Sequence, residues 1–363
     1  MSICISHTTA LWLMCSPSIW PLVVGERNTD DASCDTGSHV PCDPPRGDGG
    51  PFGPSAVSEI REVVPRLCDL AGWNQEQAYP IEVLVPGGSN HRSNRLCVRH
   101  VCQSPAPHRS FVRLEAGVFV SSPEFTFLQM ASQLDEIELA QLGYSLCGEY
   151  FPCDNDRGFV KRPRLTTTGQ LNEYLSQLDG VRNIAKARRA LRWVCDGSRS
   201  PMETSTALLL STSRRTGGYG LPKPHLNKRI ALSHESAMVA NTPYYLADLL
   251  YPEQKVAIEY LGKAYHKNVE RDLTREYVLR SEGYTLFDVT IAQIVSGTLR
   301  NQLVLSIADA IGYRLRKSTP TVREKRNALL NQILPHPSRI SPTGEVTWMR
   351  SPWSLPQELS ASK

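Results

Sequence analysis

The segment Tyr244-Tyr-Leu-Ala-Asp248-Leu-Leu-Tyr-Pro-Glu-Gln-Lys255-Val-Ala-Ile-Glu259-Tyr-Leu-Gly262 decides the fold of the second half of the chain. Two short β-prone runs, Tyr244 to Leu250 and Lys255 to Leu261, flank a turn at Tyr251-Pro-Glu-Gln254, the pattern of a hairpin. A hairpin of this length brings the start of one strand beside the end of the other, so Asp248 and Glu259 converge at one edge. Period-two alternation sets Glu259 and Leu261 on one face and turns Ile258 and Tyr260 to the other. Gly262 lets the chain turn, and Lys263 and His266 follow within reach of the same edge. Phosphodiester hydrolysis with Mg²⁺ needs two or three carboxylates around a hard, oxygen-preferring cation, and this spacing can supply them. A Lys or His at that edge is suited to orient water, shuttle a proton or steady a phosphate oxygen.

Outward from the hairpin, the pattern predicts a helix over Met202 to Leu210, a Gly-rich loop at Gly217-Gly-Tyr-Gly220 and a strand over Arg229 to Ser233. After the hairpin come a helix from Val269 to Glu282, a strand from Tyr284 to Val289 and a helix from Ile291 to Tyr313. The order is αβββαβ with a closing helix, an α/β (α+β) class. Gly217 to Gly220 lacks the G-x-x-x-x-G-K pattern and a strand-to-helix setting, so it reads as a turn and not as a phosphate cradle.

In the first half, Ile81 to Val85, Leu96 to Val101 and Val112 to Val120 read as strands of a small sheet. Ser122-Pro-Glu-Phe-Thr opens a helix on which Phe127, Met130, Leu134 and Ile137 recur at helical spacing. Helices over Thr168 to Leu178 and Val181 to Trp193 follow; the second carries Arg182, Lys186, Arg188, Arg189 and Arg192, and reads as a solvated basic face.

At 363 residues and 40% hydrophobic content, the chain can bury two cores. Its 40 Lys and Arg against 36 Asp and Glu give a net charge of +4, so a nucleic-acid surface must be a local patch. Ten cysteines include no C-x-x-C pair. Cys97-Val-Arg-His100-Val-Cys102 sets three ligand types close together, but alternation splits them between faces and no partner pair follows at finger spacing. His7 and His100 therefore read as ordinary polar residues. The apolar stretch at Ala10 to Cys15 lacks a basic flank and precedes Pro17 and Pro21, which makes it a core helix and not a signal peptide. No run approaches the ~20 apolar residues of a membrane span, so a cytoplasmic protein with reduced thiols and no membrane partner is expected.

The hairpin has a family resemblance. Asp248-x10-Glu259-Tyr-Leu-Gly262, then His266, Asp272, Arg275 and Gly283-Tyr284 before a strand, resembles the uncharacterised domain family related to very-short-patch-repair endonucleases, within the PD-(D/E)XK superfamily. Ser200-Pro-Met-Glu203-Thr and Gly217-Gly-Tyr-Gly-Leu-Pro222 are similar to the entry segment of these domains, where a helix glutamate joins the metal site. The resemblance implies a restriction-endonuclease-like core over 200–316, in which Glu203, Asp248 and Glu259 hold Mg²⁺ or Mn²⁺. Lys263 and His266 would assist catalysis, and Lys267, Arg271 and Arg275 would contact DNA, although Asp272 and Arg275, three apart on one helix, read equally as a solvated ion pair. The sequence departs from the pattern at Leu261, where such domains carry an acidic residue or the superfamily's lysine.

Ile5-Ser-His-Thr-Thr-Ala-Leu11, the strands through Val120 and Ser122-Pro-Glu-Phe-Thr-Phe-Leu128 are similar to the sensor-like half of abortive-infection antitoxin regulators, without their opening winged helix. The expected organisation is an N-terminal helix over 1–24, a disordered insertion over 25–55, a mixed α/β antitoxin-like domain over 56–196 that offers a surface for a protein partner, the nuclease-like domain, and a helix with a coreless, flexible tail over 317–363. The expected function is a metal-dependent DNA endonuclease or nickase. The alternative, favoured by Leu261, is a catalytically inactive nucleic-acid-binding or antitoxin-like regulator that keeps the fold.

Overall fold

The computed structural model describes residues 3–24, 57–74, 78–86, 92–102, 106–153, 155, 157–262, 269–334 and 353–356. The insertion expected over 25–55 lies outside the described residues. The chain has the mixed α/β class expected of it and forms two compact units, Met1–Arg192 with Thr347–Lys363, and Trp193–Val346.

The first unit runs β1 (Ile3–Ile5), α1 (His7–Leu13), α2 (Trp20–Val24), α3 (Val57–Ala71), β2 (Ile81–Pro86), β3 (Cys97–Cys102), β4 (Phe111–Glu115), β5 (Val118–Ser121), α4 (Pro123–Met130), α5 (Glu136–Leu146), β6 (Tyr150–Pro152), β7 (Phe159–Lys161), α6 (Thr168–Ser176) and α7 (Ile184–Leu191). Its main sheet has the order β3-β2-β1-β5-β4. This corrects the reading of 1–24 as a separate N-terminal helix: Ile3, Cys4 and Ile5 are all buried and form the central strand, parallel to β5 and antiparallel to β2. Three consecutive apolar residues suit a strand covered on both faces. The single helix expected after Ser122 is two, because Asp135 starts α5 with a capping box that Glu138 completes.

The tail is corrected too. Trp353 is 1% exposed and packs edge-on against Phe151, with ring centroids 5.5 Å apart. Leu355 bridges to Cys153, and Trp12 Nε1 donates to the carbonyls of Trp353 and Ser354. Residues 353–356 therefore belong to a core.

The second unit runs α8 (Pro201–Ser211), β8 (His225–Ala231), α9 (His234–Ala240), β9 (Tyr244–Tyr251), β10 (Val256–Tyr260), α10 (Val269–Ser281), β11 (Thr285–Val289), α11 (Ile291–Val295), α12 (Gly297–Ala310) and α13 (Pro320–Ile333). The sheet order is β11-β10-β9-β8; β8, β9 and β10 pair antiparallel, and α10 carries the chain across to β11, which is parallel to β10. The first strand starts and ends earlier than Arg229 to Ser233, and α9 intervenes before β9 because Ser233 caps a new helix through the Ser236 N–H. The closing helix is broken at Ser296, whose extended backbone and side chain start α12. The Gly-rich turn anchors α13. Arg326 of α13 stacks 3.6 Å from the Tyr219 ring and donates to the carbonyls of Gly217 and Gly218. Gly217 takes a φ of +111°, which a side chain would oppose. Among the described residues, no helix is long and apolar enough to cross a membrane.

Candidate active site

Strand register builds a polar row across the second sheet. Ile258 pairs with Leu249, which sets the following Glu259 opposite Asp248. Glu259 pairs in turn with Asp288 on β11. On the other side, Leu226 and Lys228 pair with Leu249 and Ala247, so Asn227 between them faces Asp248. Laterally adjacent residues point to the same side of a sheet, so Asn227, Asp248, Glu259 and Asp288 form one transverse line. The ladder locally loosens at Asn227, whose φ is +47°, a left-handed conformation that Asn tolerates well.

Glu203 joins this row from α8. Ser200 caps the helix by accepting from the Glu203 N–H, which fixes Glu203 in the first turn. Its Oε2 accepts from the Arg199 N–H at 2.8 Å and from Asn227 Nδ2 at 2.6 Å, while Oε1 accepts from Ser200 Oγ at 2.9 Å. Asn227 thus ties the helix acid to the strand opposite Asp248. Asp248 Oδ2 accepts from the Tyr260 N–H at 2.9 Å. Glu259 Oε1 accepts from Arg275 Nη2 at 2.5 Å, and the same nitrogen donates to the Leu246 carbonyl.

The electrostatics are those of crowded, desolvated acids. Burial first, and then the neighbouring Asp248, push the Glu259 carboxyl up to about 8, although Arg275 pulls the other way. Burial and Asp248 likewise raise Glu203. Burial raises Asp248 itself, against the Tyr260 N–H and the charges of Arg275 and Arg199. Like charges brought together out of water favour a shared proton or a bound cation. All donors in the set are oxygens, as Mg²⁺ and Mn²⁺ prefer, so the residues fit such an ion chemically. The three carboxylates do not all lie within 4.8 Å of one another.

Of the other residues singled out in the sequence, Lys263, His266 and Lys267 lie outside the described residues, and Arg271 is described only as part of the α10 backbone. Arg275, expected to contact DNA, reaches inward to Glu259 with its side chain 22% exposed. Leu261 is half-buried just beyond β10, and its N–H donates to the Val289 carbonyl. Sequence reasoning did not single out Asn227 or Asp288. Only the register of β8 and β11 brings them to the row, and parallel register is set by the crossover and not by local pattern.

His7 and His100 are not isolated polar residues. Together with Glu82 they form, among the described residues, the set of three ligand-type side chains whose ligand atoms all lie within 4.8 Å of one another. That set belongs to the first unit.

Compared with known proteins, the chain matches no family model, no curated protein and no solved structure.

Proposed function

We propose that the second unit is a divalent-metal-dependent phosphodiesterase that nicks or cuts DNA. One observation carries the reading: Asp248 and Glu259 stand opposite each other on one face of the sheet, with Glu203 brought to them through Asn227. Bound there, Mg²⁺ or Mn²⁺ would offset phosphate charge and make a water more acidic. The chain's own residues do the rest. Ser200, Asn227 and the Arg199 N–H hold Glu203, the Tyr260 N–H holds Asp248, and Arg275 holds Glu259, so the carboxylates are oriented before substrate arrives. Lys263 and His266, next in sequence, are the groups to steady a phosphate oxygen or take a proton. Arg214, Arg316, Lys317 and Arg323 line a cavity of about 390 Å³ elsewhere on this unit, with no carboxylate among the described residues of its walls, which suits a polyanionic partner.

A second reading, a catalytically silent nucleic-acid-binding regulator, is favoured by the Arg275–Glu259 pair, since a guanidinium on a ligand carboxylate competes with a cation for it. Incubation with supercoiled plasmid in Mg²⁺ or Mn²⁺ separates the two. Relaxed or linear product that disappears in Asp248→Asn supports the phosphodiesterase. Intact plasmid that is nevertheless retarded in a gel by the wild type supports the regulator.

A further inference from the structure

In the first unit, His7 at the start of α1, Glu82 on β2 and His100 on β3 meet from three separate segments of the sequence. His100 Nε2 lies 2.7 Å from Glu82 Oε2, and the rings of His7 and His100 stack with centroids 3.6 Å apart. Leu84 pairs with His100, so alternation sets Glu82 and His100 on the same face of the β2–β3 ladder. The backbone clamps His7 over them. The Ser6 N–H donates to the Glu82 carbonyl at 2.9 Å, the Glu82 N–H donates to Thr9 Oγ1 at 2.9 Å, and the His7 N–H donates to Gln129 Oε1 at 3.2 Å. His7 adopts a φ of +49°, uncommon outside glycine and sustained where surrounding structure over-determines it, often at ligand sites. Ser6 Oγ sits 3.0 Å from His7 Nδ1, the kind of hydrogen bond that orients a ligating imidazole and leaves its second nitrogen for an ion.

Pairing with Glu82 requires one histidine; a second imidazole stacked on the first adds a donor and no needed charge. We propose that His7, Glu82 and His100 bind Zn²⁺ or a neighbouring late first-row divalent ion. Two imidazole nitrogens and one carboxylate oxygen are the donors such ions select. Bonds of ~2.0–2.2 Å around a tetrahedral ion place ligand atoms ~3.3 Å apart, so a set already within 4.8 Å closes once the stacked rings turn out of parallel, bringing their in-plane lone pairs onto the ion and replacing the His100–Glu82 hydrogen bond. The His100 and Glu82 side chains are 22% and 15% exposed, which gives an ion a path from solvent and leaves a fourth position for water. The inference is independent of the function proposed for the second unit.

The test uses the untagged full chain, stripped with chelator and titrated with Zn²⁺ by calorimetry and with Co²⁺ by visible absorption. With excess Mg²⁺ present to occupy the carboxylates of the second unit, one Zn²⁺ per chain is expected, with Kd of ~1 µM or tighter. Glu82→Gln and His100→Gln should each weaken it by at least about tenfold and remove the Co²⁺ bands, while Asp248→Asn, in the other unit, should not. Equal binding by wild type and Glu82→Gln, or no binding by the folded wild type, overturns the proposal. Should a variant fail to fold, imidazole NMR of the wild type decides: Zn²⁺ must shift the His7 and His100 resonances, and unshifted signals overturn it.

Discussion

Arg275 Nη2, on α10, lies 2.5 Å from Glu259 Oε1, on β10, so the crossover helix places its guanidinium on the acid that register sets opposite Asp248. The contact is ionic only where Glu259 has lost its proton, and burial with the Asp248 charge delays that to about 8. Arg275→Ala should therefore destabilise the protein by about 3 kcal/mol at pH 9, where an unpaired charge would be left buried, and by much less at pH 6, where the acid is neutral. Urea midpoints at the two pH values measure this. Equal losses at both would mean that Arg275 acts by packing and not by charge.

Glu259 also makes stability depend on pH. A carboxyl held near 8 in the folded chain and near its ordinary value of 4.5 when unfolded stabilises the fold while it keeps its proton. That contribution is complete below the unfolded value and is lost as pH rises towards 8. Without divalent ions, the melting midpoint of Glu259→Gln should match wild type near pH 5 and exceed it by several degrees at pH 9, since glutamine never ionises. Parallel midpoint curves from pH 5 to 9 would refute the raised carboxyl.

The hairpin of β9 and β10 was legible because its evidence is local: alternation, a Pro-bearing turn and a glycine exit lie within one short segment. The mixed α/β class followed from the succession of periods. The rest depended on distant partners. Asp288 and Asn227 join the row only through the pairing of β11 and β8, and α9, two turns long, carries too little periodicity to separate it from the strand end at Ser233. Across the first unit, His7, Glu82 and His100 share no spacing motif; strand pairing and the backbone of α1 bring them together.

Trp353 illustrates the same blindness at the C-terminal end and gives a stability test. The surrounding sequence is polar and Pro-bearing, yet the indole is 1% exposed against Phe151. Trp353→Ala should cost about 3 kcal/mol or more, because removing a large buried ring leaves a cavity that the neighbours fill only in part. Calorimetric unfolding reads the loss; a change under ~1 kcal/mol would show that the segment is not part of that core.

Leu261 decides between the two functions proposed for the second unit. It follows Glu259 by two residues, its N–H is anchored to the Val289 carbonyl, and its side chain is half-buried beyond the end of β10. A charged head introduced there can reach water, so Leu261→Lys should cost no more than ~1 kcal/mol, unlike a charge forced into a closed core. If the unit is a phosphodiesterase weakened by the missing polar group, a lysine at this position adds charge beside Glu259 where negative charge develops on the phosphate. Plasmid nicking in Mg²⁺ should then rise by at least about tenfold, and Leu261→Lys combined with Asp248→Asn should lose it again. Unchanged nicking with an unchanged melting midpoint would show that a folded, correctly charged site still lacks catalysis, and the regulator would be the better reading. A melting midpoint that collapses would instead place Leu261 in a closed apolar contact, and Leu261→Gln, uncharged and of similar length, would then be the variant whose cleavage rate is compared.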